Sequence, residues 1–214
     1  MKDVYKTIKG KGVDEVLINK SRFIGYSAPI DSEEEALEFI EEIKTKHRDA
    51  THNVYAYCFG EDSNIQRFSD DGEPSGTAGI PVLEVLKKED LRNIVVVVTR
   101  YFGGIKLGSG GLIRAYTKGA KIAIDAGLVV DMTLHVETKI SIEYTVLGKF
   151  ENYLMTSGLK AEEIEYKEDI VFTLFVEKSK IDGFEADVLD ITNGQAVINY
   201  LDEKHLPLIQ GKRV

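Results

Sequence analysis

The residues best placed to do chemistry lie between Ser69 and Tyr116. The loop Gly103-Gly104-Ile105-Lys106-Leu107-Gly108-Ser109-Gly110-Gly111 comes directly before a helical pattern. Free backbone N–H groups at a helix N-terminus attract anions, and glycine lets a phosphate come close. Gly108, Gly110 and Gly111 supply the amides, Lys106 a cation and Ser109 a hydroxyl. The chemistry this suits is phosphate recognition, on a small molecule or on a nucleic-acid backbone. It is not a Walker A loop, because no Lys-Ser/Thr follows the last glycine. The spacing also misses the dinucleotide fingerprint, and no ribose-binding acid follows in a βαβ unit. The alternative is a loop packed tightly against a sheet.

Arg100, Tyr101 and Phe102 leave an apolar run together, and Arg114 and Tyr116 open the next helix. Arginine neutralises phosphate, and an aromatic ring stacks on a base whatever its identity. Leu91 to Ile124 contains no acid but carries Arg92, Arg100, Lys106, Arg114, Lys118 and Lys121. That stretch predicts a local positive patch to which Arg100, Tyr101, Lys106 and Arg114 contribute. Phe102 is expected to be buried and Tyr101 partly exposed.

Other constellations point less far. Asp70, Asp71 and Glu73 are the carboxylates a Mg²⁺ ion would use, but with Gly72 and Pro74 they read as a turn. His47-x-Asp49-x-x-His52 lacks the third or fourth ligand that zinc needs. Cys58 lies in a strand flanked by aromatics and reads as a small buried hydrophobe. Ser69, Ser75 and Ser109 lack the nucleophile elbow of hydrolases. No catalytic residue, metal or cofactor is therefore expected.

The elements that must position these residues follow from periodicity. Val16–Ile18 and Arg22–Ala28 predict a hairpin turning at Asn19-Lys20-Ser21. Ser32 and Glu35 form a capping box before a helix to about Lys46, with Ala36, Phe39, Ile40 and Ile43 as its apolar stripe. The strand from Asn53 to Gly60 puts Val54, Ala56 and Cys58 on one face and Tyr55, Tyr57 and Phe59 on the other. Residues 65–69 pair with it, residues 80–88 form a helix entered through Pro81, and Asn93–Arg100 reads as a doubly covered strand. A helix from about Gly110 to Asp125 ends at Gly127. From Glu137 on, strand 138–144, helix 147–157, hairpin 161–166 and 169–176, helix 181–192 and strand 196–201 give βαββαβ, the ferredoxin-like order. A boundary near 130–137 predicts an α+β chain of two domains, residues 1–132 and 137–205.

Composition narrows the function classes. The 214 residues carry 27 Lys/Arg and 36 Asp/Glu, a net charge of −9. Residues 1–124 hold 18 bases and 19 acids, and residues 125–214 hold 9 and 17, so the acidity belongs to the tail. That tail is expected to contact protein or act as a spacer rather than bind RNA. No apolar run reaches the roughly 20 residues of a membrane span. Met1 to Lys6 lacks the apolar core of a secretory signal, and one cysteine suits a reducing cytoplasm. A soluble cytoplasmic protein is expected, with no membrane partner.

Three segments carry a resemblance: Asp49-Ala50-Thr51-His52-Asn53, Asp70-Asp71-Gly72-Glu73-Pro74-Ser75-Gly76-Thr77-Ala78-Gly79, and Arg100 to Gly108. Together they resemble the hallmarks of the IMPACT family (UPF0029) of the bacterial YigZ/YvyE type. The family motif residues are then His52, Asn53, Asp70, Asp71, Gly72, Glu73, Pro74, Gly76 and Thr77. The resemblance implies a first domain like ribosomal protein S5 domain 2 and a second like the last domain of elongation factor G. The loop at Leu107-Gly108-Ser109 is similar to the Leu-Gly-Ser-Ser loop of the GHMP kinases, which share the S5 domain 2 fold. Eukaryotic relatives are linked to control of translation initiation through binding a regulator of a stress kinase. They make that contact through an extra N-terminal RWD domain, whereas this chain begins almost at its first strand.

These readings converge on a non-catalytic, translation-associated regulatory factor. Its basic, glycine-rich surface in the first domain is expected to bind RNA, the ribosome or a translation-regulator protein. Two other classes remain open: an enzyme taking a phosphate or nucleotide at the Lys106 loop, and a purely protein-interaction module.

Overall fold

The computed structural model describes residues 3–60 and 62–213; Met1 and Lys2 of the N-terminal stretch lie outside them. The elements run β1 (Val4–Ile8), β2 (Gly12–Ile18), β3 (Ser21–Pro29), α1 (Glu33–Lys46), β4 (His52–Phe59), β5 (Ile65–Ser69), α2 (Gly79–Lys88), β6 (Ile94–Tyr101), α3 (Gly108–Gly127) and β7 (Val129–Ile142). Then come α4 (Leu147–Ser157), β8 (Ala161–Tyr166), β9 (Ile170–Glu177), α5 (Ile181–Ile191), β10 (Val197–Ile209) and β11 (Lys212–Arg213). The chain is α+β and divides into two compact units, Met1–Met132 with Pro207–Val214, and Thr133–Leu206. Among the described residues no helix is long and apolar enough to cross a membrane.

In the first unit the strands pair in the order β2-β3-β6-β4-β5. Asn19 and Lys20 close the β2–β3 hairpin with φ of 45° and 63°, the left-handed pair whose twist matches the flanking strands. β6 is apolar on both faces because both are covered. Val95 and Val97 pack with the predicted α1 stripe, while Ile94, Val96 and Val98 pack with α2 and α3. β4 alternates as predicted, with Val54, Ala56 and Cys58 toward α2 and α3. Burial pushes the Cys58 thiol up to about 11, so it is inert at neutral pH. Ser32 Oγ caps α1 by accepting from Glu35 N–H at 3.1 Å. The Glu35 carboxylate reaches back one residue further than a capping box requires and accepts from Asp31 N–H.

Two glycines outside the loops let α3 lie almost on the strands. A Cβ on Gly25 would stand 2.1 Å from the Gly119 carbonyl oxygen, and one on Gly119 would stand 2.8 Å from Val98 Cγ1. Ser27 Oγ donates to the Ala123 carbonyl at 2.7 Å across the same seam.

The register brings several segments to one end of this sheet. His52 faces Arg100, Arg22 faces Tyr101, and Ser69 faces Tyr55. α1 ends there, and α2 and α3 begin there.

The second unit has the strand order β10-β7-β9-β8, which is 4-1-3-2 of a βαββαβ chain and hence ferredoxin-like. Phe150 and Leu154 of α4 and Phe184 and Val188 of α5 pack on Ile140, Ile142, Ile170, Phe172, Leu174 and Val176. Two strands are longer than their sequence predicts. β7 begins at Val129 rather than near 138, and β10 runs to Ile209 rather than 201. β10 is open to solvent through Tyr200-Leu201-Asp202-Glu203-Lys204, so no inward-facing apolar alternation marks it as a strand.

The Gly25–Gly119 approach generates a stability prediction. Gly25→Ala should cost about 1–3 kcal/mol by overpacking. Gly10→Ala, where an added Cβ meets no atom within 4 Å, is the control. Urea unfolding should show a lower midpoint at unchanged slope for the first and little change for the second.

Candidate functional site

The end of the sheet is organised around one carboxylate. Glu73 Oε1 accepts from Arg100 Nη1 at 2.5 Å and from the Tyr116 hydroxyl at 2.7 Å. His52 Nε2 lies 3.7 Å from the same oxygen. Glu73 is 8% exposed, Arg100 5% and Tyr116 0%. The Arg100 guanidinium lies over the rings of Phe23 and Phe102, at 5.5 and 5.3 Å from their centroids. Phe23 in turn meets Tyr116 edge to face at 5.3 Å. Burial, and next the Glu73 charge, push the Tyr116 phenol well above its ordinary range, so it remains a donor.

The flanking acids hold the loop that delivers Glu73. Asp70 accepts from the amides of Gly76, Ala78 and Gly79 at 2.9, 3.1 and 2.8 Å, which caps the start of α2. Asp71 accepts from Asn53 N–H at 2.6 Å, and the Asp71 carbonyl lies 2.8 Å from His52 Nδ1. That carbonyl requires the proton on Nδ1. Asp71 and Gly72 have φ of 45° and 85°. Thr77 Oγ1 donates to the Pro74 carbonyl at 2.6 Å. Asp70, Asp71 and Glu73 thus face three different donor sets, which is the turn reading of this segment.

The remaining motif residues knit the strands together. Asn53 Oδ1 accepts from Thr99 Oγ1 at 2.8 Å, and Asn53 Nδ2 donates to the His47 carbonyl at 3.2 Å. Thr51 N–H donates to the Arg100 carbonyl at 2.9 Å, and Thr51 Oγ1 accepts from Phe102 N–H at 3.0 Å. Gly103 N–H donates to Ser21 Oγ at 3.1 Å. On the α1 side, His47 bridges two phenols, with Nε2 2.6 Å from Tyr26 Oη and Nδ1 2.9 Å from Tyr101 Oη. Tyr101 donates onward to Asp49 Oδ1 at 3.1 Å. The chain of donors therefore runs Tyr26 to His47 to Tyr101 to Asp49. His47 and His52 point to opposite sides of the sheet, so His-x-Asp-x-x-His does not converge.

What faces solvent differs from the surface the sequence predicts. Arg100 is not on it; the unbroken apolar run before it carries its side chain inward, and Glu73 neutralises it there. Phe102 is not buried but 46% exposed, because its ring covers the guanidinium from outside. Tyr101 is half-buried as expected, with its hydroxyl engaged by His47 and Asp49. Lys106, Gly108, Ser109, Gly110, Arg114 and Lys118 are exposed, with Gly111 partly so. Gly104 and Gly108 adopt φ of 83° and 70° with open space beside them. α3 starts at Gly108 with no side chain capping it. Of the other bases in the acid-free stretch, Arg92 is buried and Lys121 pairs with Glu89 and Asp125. Sequence reasoning missed Glu73 as the central acceptor and Tyr116 as its second donor. The available signal was an arginine ending an apolar strand, which demands a buried acid.

Two predictions come from this geometry. Arg100→Met should leave Glu73 buried without its cation and cost about 3–5 kcal/mol. Adding Glu73→Gln should recover a large part of that loss, measured as a non-additive shift in urea midpoint. The second concerns pH. Burial, and then the Lys46 charge, hold the His47 imidazolium below its ordinary value of 6.5; Arg22 acts the same way and Asp49 opposes. The folded state takes up the proton at lower pH than the unfolded chain. Stability should be full above pH 6.5 and fall as pH drops toward the folded value. Melting temperature followed from pH 8 to 5 should show that decline, and His47→Gln should flatten it.

The comparisons agree with one another along the chain. The Impact N-terminal domain family matches residues 19–124, and a domain of unknown function (DUF1949) matches residues 140–195. IMPACT family member YvyE of Bacillus subtilis (strain 168) is 48% identical over 194 residues, covering 91% of this chain and 89% of that one. IMPACT family member YigZ of Escherichia coli (strain K12) is 35% identical over 188 residues, covering 87% and 92%. A solved structure described as "Crystal structure of an hypothetical protein" superposes with a TM-score of 0.60 at 32% identity, covering 94% of this chain and 99% of that one. The three segments that meet around Glu73 are those that carry the resemblance in the sequence, and with relatives of this identity aligned over most of its length the chain belongs to the IMPACT family.

Proposed function

We propose that the first unit contacts RNA, free or on the ribosome, through the rim around the α3 N-terminus, as a non-catalytic cytoplasmic factor. Membership of the IMPACT family supports a role of the translation-regulator type. The observation that carries the RNA reading is the composition of the rim. An exposed aromatic ring at Phe102, exposed cations at Lys106 and Arg114, and an uncapped helix start all lie within one sequence stretch that contains no acid. Backbone amides and cations suit phosphate oxygens, and the open face of Phe102 suits a base. Phe102 takes the stacking role in this reading, since Tyr101 is tied to His47 and Asp49.

Ile105 and Ile113 are exposed beside the cations and favour a protein partner as the second reading. The same experiment separates the two. Binding of wild type and of Lys106→Ala with Arg114→Ala should be measured on total RNA and purified ribosomes across a salt series. The RNA reading expects the logarithmic salt slope to flatten by about 0.7 for each single-strand phosphate that the variant no longer neutralises. Phe102→Ala should cost about 1–3 kcal/mol of single-strand affinity. Equal and negligible RNA binding by all variants removes this reading and leaves the apolar rim as a protein-binding surface.

A further inference from the structure

The backbone that carries Phe102 is pinned from two sides. Phe102 N–H donates to Thr51 Oγ1 at 3.0 Å, and Gly103 N–H donates to Ser21 Oγ at 3.1 Å. The β2–β3 turn comes closer still: a Cβ on Gly103 would stand 2.0 Å from the Lys20 carbonyl oxygen. Strand order explains the arrangement. β6 lies between β3 and β4, so Phe102, one residue past β6, emerges between the residues that enter β3 and those that enter β4. Those two entrances are two strand spacings apart, roughly 10 Å.

Each entrance brings an exposed cation that is distant from Phe102 in sequence. Lys20 sits in the turn directly before β3, with φ of 63°. Arg48 lies in the turn after α1, three residues before Thr51, where Ala50 N–H donates to the His47 carbonyl at 3.0 Å. Neither cation makes an ion pair among the described residues. The carboxylates around them are committed to protein donors. Glu15 accepts from Arg22 Nε at 2.9 Å and Asp49 from the Tyr101 hydroxyl at 3.1 Å. Asp71 is held by Asn53 N–H and Glu73 by Arg100.

We infer that Lys20 and Arg48 hold the phosphates on the two sides of a base stacked on Phe102, so that a single RNA strand crosses the end of the sheet over β3, β6 and β4. The inference rests on the RNA reading of the rim and adds to it a direction and two cations from outside the acid-free stretch. Lysine meets a phosphate as a point charge, and arginine can grip one with two parallel hydrogen bonds. Stacking is indifferent to base identity, so the track takes single strands with little sequence preference. Lys106 and Arg114 remain the contacts on the α3 side.

The test is binding of a fluorescein-labelled uridine dodecamer to the full chain, followed by fluorescence anisotropy across a salt series. Lys20→Gln with Arg48→Gln should weaken binding tenfold or more at physiological salt. It should also flatten the logarithmic salt slope by about 1.4, two phosphates at about 0.7 each. Lys6→Gln with Lys88→Gln removes the same charge from exposed positions flanking Leu91, before β6 begins, and should change affinity less than twofold. Melting curves of both pairs check that each remains folded. If the wild type binds and Phe102→Ala weakens it, but the two charge pairs act alike, the track is overturned and the RNA reading stands. Undiminished binding by Phe102→Ala overturns the track too, because no base then sits between the two cations. Absent binding by the wild type overturns both.

Discussion

The buried pair of Glu73 and Arg100 is the interaction on which the working end of the first unit depends. Two charges taken from water cost several kcal/mol each unless geometry and hydrogen bonding return it. Here the return requires several segments at once. Arg100 comes from the end of β6, Tyr116 from the third turn of α3, and Glu73 from a loop held by Asp70 and Asp71. If any of these segments were misplaced, a charge would be left unpaired in the interior. A buried pair contributes little net stability compared with apolar packing, but it penalises alternative arrangements heavily. That explains a loop of such particular backbone, with Asp71 and Gly72 both at positive φ, delivering one acid.

The pair also explains the odd exposure of Phe102. The guanidinium needs apolar faces on both sides of its plane once its edge is used by Glu73. Phe23 supplies one from β3, and Phe102 supplies the other from the first residue after β6. One side of the Phe102 ring is therefore committed to Arg100 while the other meets solvent. A ring so placed is held rigid without being consumed, and rigid aromatic surface is what stacking on a base requires. The start of α3 is fixed by the same pair: Tyr116 anchors the helix from below, so its first turn at Gly108 can stay uncapped.

How much of this can be read from sequence depends on how local the cause is. The α1 cap and stripe, the β4 alternation and the Asn19-Lys20 turn are decided by neighbours within a few residues, and their sequence signals match the structure. The extension of β7 back to Val129 and of β10 to Ile209 is decided by pairing with distant strands, which leaves no local period to detect. The site divides in the same way. Lys106, Ser109, Gly110 and Arg114 are exposed as their loop and helix-start positions imply. Arg100 and Phe102 exchange places relative to the sequence reading because the deciding partner, Glu73, is 27 residues away. An arginine at the end of a strand as apolar as Ile94 to Val98 would have been better read as half of a buried pair.

The two units divide the chain's electrostatics in a way that bears on selectivity. The first carries nearly balanced charge with a cationic rim free of acids, and the second carries most of the net −9. In solution at physiological ionic strength charges are screened beyond about 8 Å, so the field of the rim's cations is felt only at short range. A protein that is acidic as a whole therefore gains little from long-range steering toward nucleic acid. In the proposed RNA contact what remains is local recognition, in which Lys106, Arg114, the α3 amides and Phe102 are engaged together. For that proposed contact, weak general attraction with demanding local geometry is the behaviour expected of a regulatory factor rather than of a general polyanion binder.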